Sequence, residues 1–180
     1  TAALFSDDAT VGAMLRVEGA LAGTQGRLGL IPEAAALHIE RAAREVKIDP
    51  AALATGTARN GVPVPALVAA FREAMAAPEH AQYLHWGATS QDIVDTALAL
   101  RLRQVCTLWD GRLAMLAAAL GRLAREHADL PMAARTYGQA ATPTSFGAVV
   151  AGWGRPVLRH RERLTALAPS IATVSLGGAA

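Results

Sequence analysis

Eight positions of this chain, Leu102, Cys106, Trp109, Leu113, Leu116, Leu120, Leu123 and His127, follow one another at spacings of 4, 3, 4, 3, 4, 3 and 4. That is an unbroken heptad seam, the pattern of a helix buried along one stripe against another long helix at a shallow crossing angle. With Thr89-Ser90 at its front and Pro131 beyond its end, the spacing predicts one helix from Ser90 to about Glu126. Such a helix is about 55 Å long at 1.5 Å per residue. A small domain cannot cover that length, so a bundle shared between chains is expected. Composition agrees. Apolar residues make up 52% but aromatics only 4%, so Ala and Leu dominate and the residues that favour strands are scarce. Charged residues are 18% and mean hydropathy is +0.26, so much apolar surface has to be covered, in part between subunits. The expected fold class is all-α.

The remaining punctuation divides the chain into a small N-terminal helical domain, residues 1–88, and the start of a long-helix bundle, residues 89–180. Ser6-Asp7-Asp8 opens a helix that Gly29 ends. Pro32-Glu33 opens a second, with Ala36, Ile39, Ala43 and Val46 on one face. A short helix from Asp49-Pro50 stops near Asn60-Gly61, and another runs from about Pro65 to Ala77. Pro78 to Thr89 is expected as loop or a short turn of helix, and Arg135 to Gln139 as extended chain or loop. Thr142-Pro143 has the order of an N-cap and first helical residue, so a second long helix is expected from Pro143 to about Ala168, kinked at Pro156.

Several function classes drop out. Net charge is only +2, the sole lysine is Lys47, and no basic block is interleaved with aromatics, which argues against nucleic-acid binding. Arg155, Arg159, Arg161 and Arg163 are expected on a solvated helix face. Cys106 is the only cysteine, so no intramolecular disulfide can form, and its seam position suggests core. No run is long enough to span a membrane and no secretory signal is visible. Cytoplasm is therefore the expected location. His127 is expected to be structural, and His38, His80 and His160 to lie on the surface. No spacing suggests zinc, and Gly177-Gly178 lacks the Lys-Ser/Thr of a phosphate loop.

Chemistry concentrates in two segments. His85-Trp86-Gly87-Ala88-Thr89-Ser90-Gln91-Asp92 puts hydroxyls, an amide and a carboxylate where a loop becomes a helix. Thr89 or Ser90 can cap that helix, and free N–H groups beside hydroxyls suit a carboxylate ligand. Arg135-Thr136-Tyr137-Gly138-Gln139-Ala140-Ala141-Thr142-Pro143 is a second polar cluster. Together they resemble the G-x-T-S-x-D and R-T-H-x-Q-x-A-x-P segments of the fumarase/aspartase superfamily. With Leu15-Arg16-Val17-Glu18-Gly19-Ala20-Leu21-Ala22, the whole chain is most similar to the bacterial 3-carboxy-cis,cis-muconate cycloisomerases within it.

The resemblance implies a tetramer whose active sites combine signature segments of different subunits, acting on a small polycarboxylate without metal or redox cofactor. It implies Asn60, Thr89, Ser90, Thr136 and Gln139 as substrate-binding groups, with His85 and Tyr137 as catalytic residues. The implied reaction is lactonisation of 3-carboxy-cis,cis-muconate to 4-carboxymuconolactone in protocatechuate (β-ketoadipate) breakdown. Three departures qualify it. Tyr137 occupies the His position of R-T-H, and with a reference pKa near 10 it shuttles protons poorly at neutral pH. A cycloisomerase, which has no amine leaving group to protonate, tolerates that change best. Asn60-Gly61 stands where adenylosuccinate lyases carry a His-Asp pair, which argues against that alternative, although Asn60-Gly61 is also an ordinary helix stop. The family's S-S-x-M-P-x-K-x-N loop has no counterpart. The chain is therefore expected to be an N-terminal portion, inactive alone, trimmed before Thr1 and ending at the start of an L-G-G-A-x-G-T turn. The remaining alternatives are a fumarate-releasing lyase of the same superfamily and a non-catalytic helical oligomerisation module.

Overall fold

The computed structural model describes residues 1–178. The elements are α1 (Asp7–Arg27), α2 (Glu33–Glu45), α3 (Ala54–Asn60), α4 (Val64–Met75), α5 (Pro78–Ala81), α6 (Ser90–Glu126), β1 (Pro131–Thr136), β2 (Gln139–Ser145) and α7 (Phe146–Ile171). Short 3-10 turns precede α1 and α3. Apart from one hairpin, the described fold is helical, as expected. Two compact units divide inside α6: residues 1–104 with the segment from Ala172, and residues 105–171.

In the first unit, Ser6 caps α1 by accepting a hydrogen bond from the Ala9 N–H at 3.2 Å, with Asp7 and Asp8 in the first turn to complement the helix dipole. The α1–α2 interface is built on missing side chains. A Cβ at Gly19 would stand 2.7 Å from the Ala43 Cβ, and one at Gly26 would collide with Ala36. Later residues of α1 thus meet earlier residues of α2, so the two helices run antiparallel with their backbones close. Met14, Ile39, Leu67, Phe71, Leu84 and Ile93 are fully buried. Ile93 and Ala97 belong to the same core cluster, which ties the first turns of α6 to this unit. The Thr96 hydroxyl donates to the Ser175 carbonyl at 3.2 Å and accepts from its N–H at 3.0 Å, clipping the C-terminal segment to α6.

In the second unit, the later part of α6 and α7 run antiparallel. Arg161 makes two hydrogen bonds to the Asp110 carboxylate, at 2.9 and 3.2 Å, while Gly154 approaches Leu120 and Gly147 approaches Ala124. Of the four clustered arginines, Arg161 is therefore an interhelix ion pair rather than part of a solvated face. The other three are exposed. The Asp110 carboxyl is held below its ordinary value by the Arg161 hydrogen bonds. The seam is only partly covered within the unit. Cys106 is buried and Leu113, Leu120, Leu123 and His127 are half-buried, but Trp109 and Leu116 each remain 47% exposed.

Three further expectations need correction. Thr142 and Pro143 do not start a helix. They lie in β2, where Pro143 pairs with Ala133 across an antiparallel ladder. Both strands of a two-stranded hairpin are edges, so the missing proline N–H is tolerated. Helix α7 begins at Phe146, capped by the Ser145 hydroxyl, which accepts from the Ala148 N–H at 3.1 Å. Helix α7 also runs three residues beyond the expected end, through Pro169 to Ile171. Finally, His38 and His80 are half-buried, with ring centroids 5.0 Å apart; packing against each other draws them off the surface.

Gly147 fixes the approach of the hairpin to α6. Its N–H donates to the His127 carbonyl at 2.9 Å, and an added Cβ would meet the Ala128 Cα at 2.7 Å and the His127 carbonyl oxygen at 2.8 Å. These are backbone atoms and cannot rotate away. Gly147→Ala is expected to destabilise the protein by about 1–3 kcal/mol through overpacking, seen as a lower Tm in thermal unfolding. An unchanged Tm would show that the approach is not tight.

Candidate active site

The segment before α6 is held from three sides. Arg72 donates to the carbonyls of Ala81 (3.2 Å) and Leu84 (3.0 Å). Gln25 donates from Nε2 to the Trp86 carbonyl at 2.7 Å. Between these anchors, His85 adopts φ 63° and Gly87 φ 65°, a left-handed conformation that is uncommon for a residue bearing a Cβ. What secures His85 is Glu18, 1% exposed on α1, whose Oε1 lies 2.7 Å from the His85 Nδ1. A carboxylate only accepts, so Nδ1 carries the hydrogen and Nε2 is the ring's remaining nitrogen.

The front of α6 is capped by Asp92. Its Oδ2 accepts from the Thr89 N–H at 3.0 Å and from the Gly178 N–H at 3.4 Å, while the Asp92 N–H donates to the Thr89 carbonyl at 3.1 Å. The Thr89 N–H is the main reason the Asp92 carboxyl ionises below its ordinary value; Gly178, Gly177 and His85 add to the effect, and burial opposes it. Asp92 therefore satisfies the Thr89 N–H, the reciprocal half of a capping box, while neither the Thr89 nor the Ser90 hydroxyl plays the capping role expected of it. Thr89 and Ser90 are half-buried, and among the described residues neither hydroxyl makes a hydrogen bond. Unengaged hydroxyls of this kind can donate to a ligand.

Thr136, Tyr137 and Gln139 cluster at the tip of the hairpin, in the second unit. Thr136 pairs with Gln139 across a two-residue turn in which Tyr137 and Gly138 have φ 49° and 78°, the sign pattern of a type I′ turn. All three side chains are exposed. Asn60 ends α3 ahead of Gly61, whose φ is 73°. It is exposed and makes no hydrogen bond among the described residues. The structure thus brings His85, Thr89 and Ser90 together on one unit and Thr136, Tyr137 and Gln139 together on the other.

The lyase family model matches residues 2–180. The chain belongs to the lyase family of the fumarase/aspartase superfamily. It is 46% identical over 180 residues to a nitrosuccinate lyase of Streptomyces davaonensis, covering 99% of this chain and 38% of that protein. A 3-carboxy-cis,cis-muconate cycloisomerase of Pseudomonas aeruginosa is 41% identical over 179 residues, covering 98% of this chain and 39% of that one. A solved fumarate lyase from Mesorhizobium sp. BNC1 superposes with a TM-score of 0.93 at 40% identity, over 99% of this chain and 42% of that chain. The lyase-family chain therefore spans about two fifths of the length of the relatives it matches.

Glu18, Gln25 and Asp92 were not among the expected site residues of this lyase-family chain. Glu18 and Gln25 stand two turns apart on α1, and each is buried with one side-chain oxygen lacking a hydrogen-bond partner among the described residues. A carboxylate in the apolar run Leu15–Ala22 was the available signal, since buried carboxylates are rare unless paired. For Asp92 the signal was local, an acidic residue three positions after a Thr at a helix start.

Because the folded Asp92 ionises below its unfolded value of about 3.9, its stabilisation is complete above that value and disappears as pH falls through the folded one. Asp92→Asn is expected to lower Tm at pH 7, with the deficit shrinking in acid. A deficit that stays constant from pH 7 down to pH 2 would rule out the ionised cap.

Proposed function

We propose that the protein carrying these residues is a cycloisomerase that converts 3-carboxy-cis,cis-muconate to 4-carboxymuconolactone. In that reaction one substrate carboxylate oxygen adds to an alkene carbon and forms the lactone C–O bond. The alkene electron pair moves to the neighbouring carbon and into its carboxylate, and a proton delivered to that carbon completes the isomerisation. No atom is lost and no electron leaves the substrate. The difficult species is the doubly charged aci-carboxylate, which needs neutral donors fixed in advance.

The observation that carries this reading is the pair of unengaged hydroxyls on the half-buried Thr89 and Ser90, at a helix start where Asp92 already satisfies the Thr89 N–H. They bind a substrate carboxylate with the free N–H groups of the first turn. His85, fixed by Glu18, presents Nε2 for proton transfer or hydrogen bonding. Thr136, Tyr137, Gln139 and Asn60 complete the site across subunits of a cytoplasmic homotetramer, in which other subunits cover the open α6 seam.

A second reading is favoured by the 46% identity to a nitrosuccinate lyase. A base would remove the Cβ proton of 2-nitrosuccinate, its electron pair would form the alkene, and nitrite would leave to give fumarate. Nitrite departs as a stable anion and needs no proton, so Tyr137 in place of His suits both reactions.

The deciding experiment is to offer both substrates to the protein as its source makes it. Loss of muconate absorbance with lactone formation and no fumarate supports the cycloisomerase. Nitrite and fumarate from 2-nitrosuccinate, with muconate untouched, support the second reading, and turnover of neither supports a helical scaffold. In whichever reaction runs, Ser90→Ala is expected to lower kcat/KM by about 1–3 kcal/mol, ~5- to 150-fold, with Tm unchanged. Unaltered kinetics would remove Ser90 from the site.

A further inference from the structure

Away from the α6 N-terminus, the first unit holds a cavity of about 370 Å³. Its walls include Leu15, Val46 and Gln104 together with three arginines, Arg16 of α1, Arg44 of α2 and Arg101 of α6, and among the described residues no Asp or Glu lines it. Arg101 is the unusual member. It is 9% exposed, and its partners among the described residues are neutral. Nη1 donates to the Thr10 hydroxyl at 2.6 Å, Nε donates to the Ala97 carbonyl at 3.4 Å, and the guanidinium carbon lies 5.5 Å from the Phe5 ring centroid. Nη2 makes no hydrogen bond to a described residue. A guanidinium carries five N–H donors, so three remain unused.

A buried cation without an acid partner is costly, and burial pulls the Arg101 pKa below its ordinary value. Arg16 has no ion-pair partner among the described residues. Arg44 is the only one of the three with a carboxylate, Glu40 at 2.5 Å, and it stays largely exposed there. Three guanidiniums around one opening, with only Arg44 paired to a carboxylate among the described residues, leave a local excess of positive charge that an anion would offset. The planar fork of Arg suits oxyanions in particular.

We propose that this cavity binds a small polyanion, a di- or tricarboxylate or a phosphate ester, at a site separate from the one built on Thr89 and Ser90. Arg101 supplies the fixed, desolvated contact at the base. Arg16 and Arg44 close over the anion from α1 and α2. The site does not depend on which reaction the protein catalyses.

Isothermal titration of the full protein tests this, with citrate as the carboxylate probe and pyrophosphate as the phosphate probe. Saturable binding of at least one probe is expected, weakened tenfold or more by Arg16→Gln and by Arg101→Lys. Arg16 is exposed, so Arg16→Gln should leave Tm without ligand unchanged and keeps the test independent of folding. Ser90→Ala should leave this binding intact, separating it from the active site. Tighter citrate would identify a polycarboxylate ligand and tighter pyrophosphate a phosphate ester. No saturable binding of either probe at millimolar concentration, or binding indifferent to Arg16→Gln, would overturn the proposal.

Discussion

The pairing of Glu18 with His85 is the contact on which the candidate site depends. It joins residues 67 positions apart and fixes a loop that would otherwise have little reason to hold a left-handed histidine. Desolvating a carboxylate is expensive, and an ion pair repays the cost only with good geometry and further hydrogen bonds. The 2.7 Å contact supplies the first, but Glu18 Oε2 has no hydrogen-bond partner among the described residues; the Gln25 bond to the Trp86 carbonyl anchors the same loop from the same helix. Removing His85 would strand a buried charge, whereas removing Glu18 would free the ring. The pair therefore fixes orientation more than it adds stability, which suits the role proposed for His85.

The same logic applies to the front of α6. A helix start exposes unsatisfied N–H groups, and the ordinary remedy is a hydroxyl cap. Here the remedy is a carboxylate one turn in, which reaches back to the Thr89 N–H. That choice has a chemical consequence. The two hydroxyls best placed to cap are released from structural duty without leaving the helix end undefined. A fixed negative charge at Asp92 would repel an anionic ligand if it were exposed. It is buried, and its charge is taken up by backbone N–H groups.

Much of this was legible in the sequence, and the exceptions share a cause. The heptad spacing and the Thr-Ser start placed α6 at its observed limits, and Ser6-Asp7-Asp8 placed the start of α1, because both signals are local and periodic. The hairpin was missed because Thr142-Pro143 is equally good grammar for a helix start and for an edge strand, and because Tyr137-Gly138 is not one of the strong type I′ pairs. Only the pairing of Pro131–Thr136 with Gln139–Ser145 resolves it. Glu18 with His85, Arg161 with Asp110 and His38 with His80 are contacts between distant elements, and no window along the chain contains both partners. The hydroxyls and amides of the proposed site are named from the sequence. The groups that position them are not, Asp92 excepted.

The chain handles negative charge in two different ways, and the difference follows from what each place must do. At Thr89 and Ser90 the donors are neutral, short and stiff. Such donors gain most when charge develops on a carboxylate during a reaction and lose little when it fades, so they favour a transition state over a resting ligand. A guanidinium in the same place would hold substrate and product tightly throughout the cycle and would add nothing specific to the intermediate. At Arg16, Arg44 and Arg101 the arrangement is reversed. Permanent cations, one of them buried beside an apolar wall, favour an anion whose charge does not change. A single composition, rich in Arg and almost free of Lys, thus supplies the donors of both the proposed active site and the proposed anion site. The two are told apart by whether the donor carries a charge of its own.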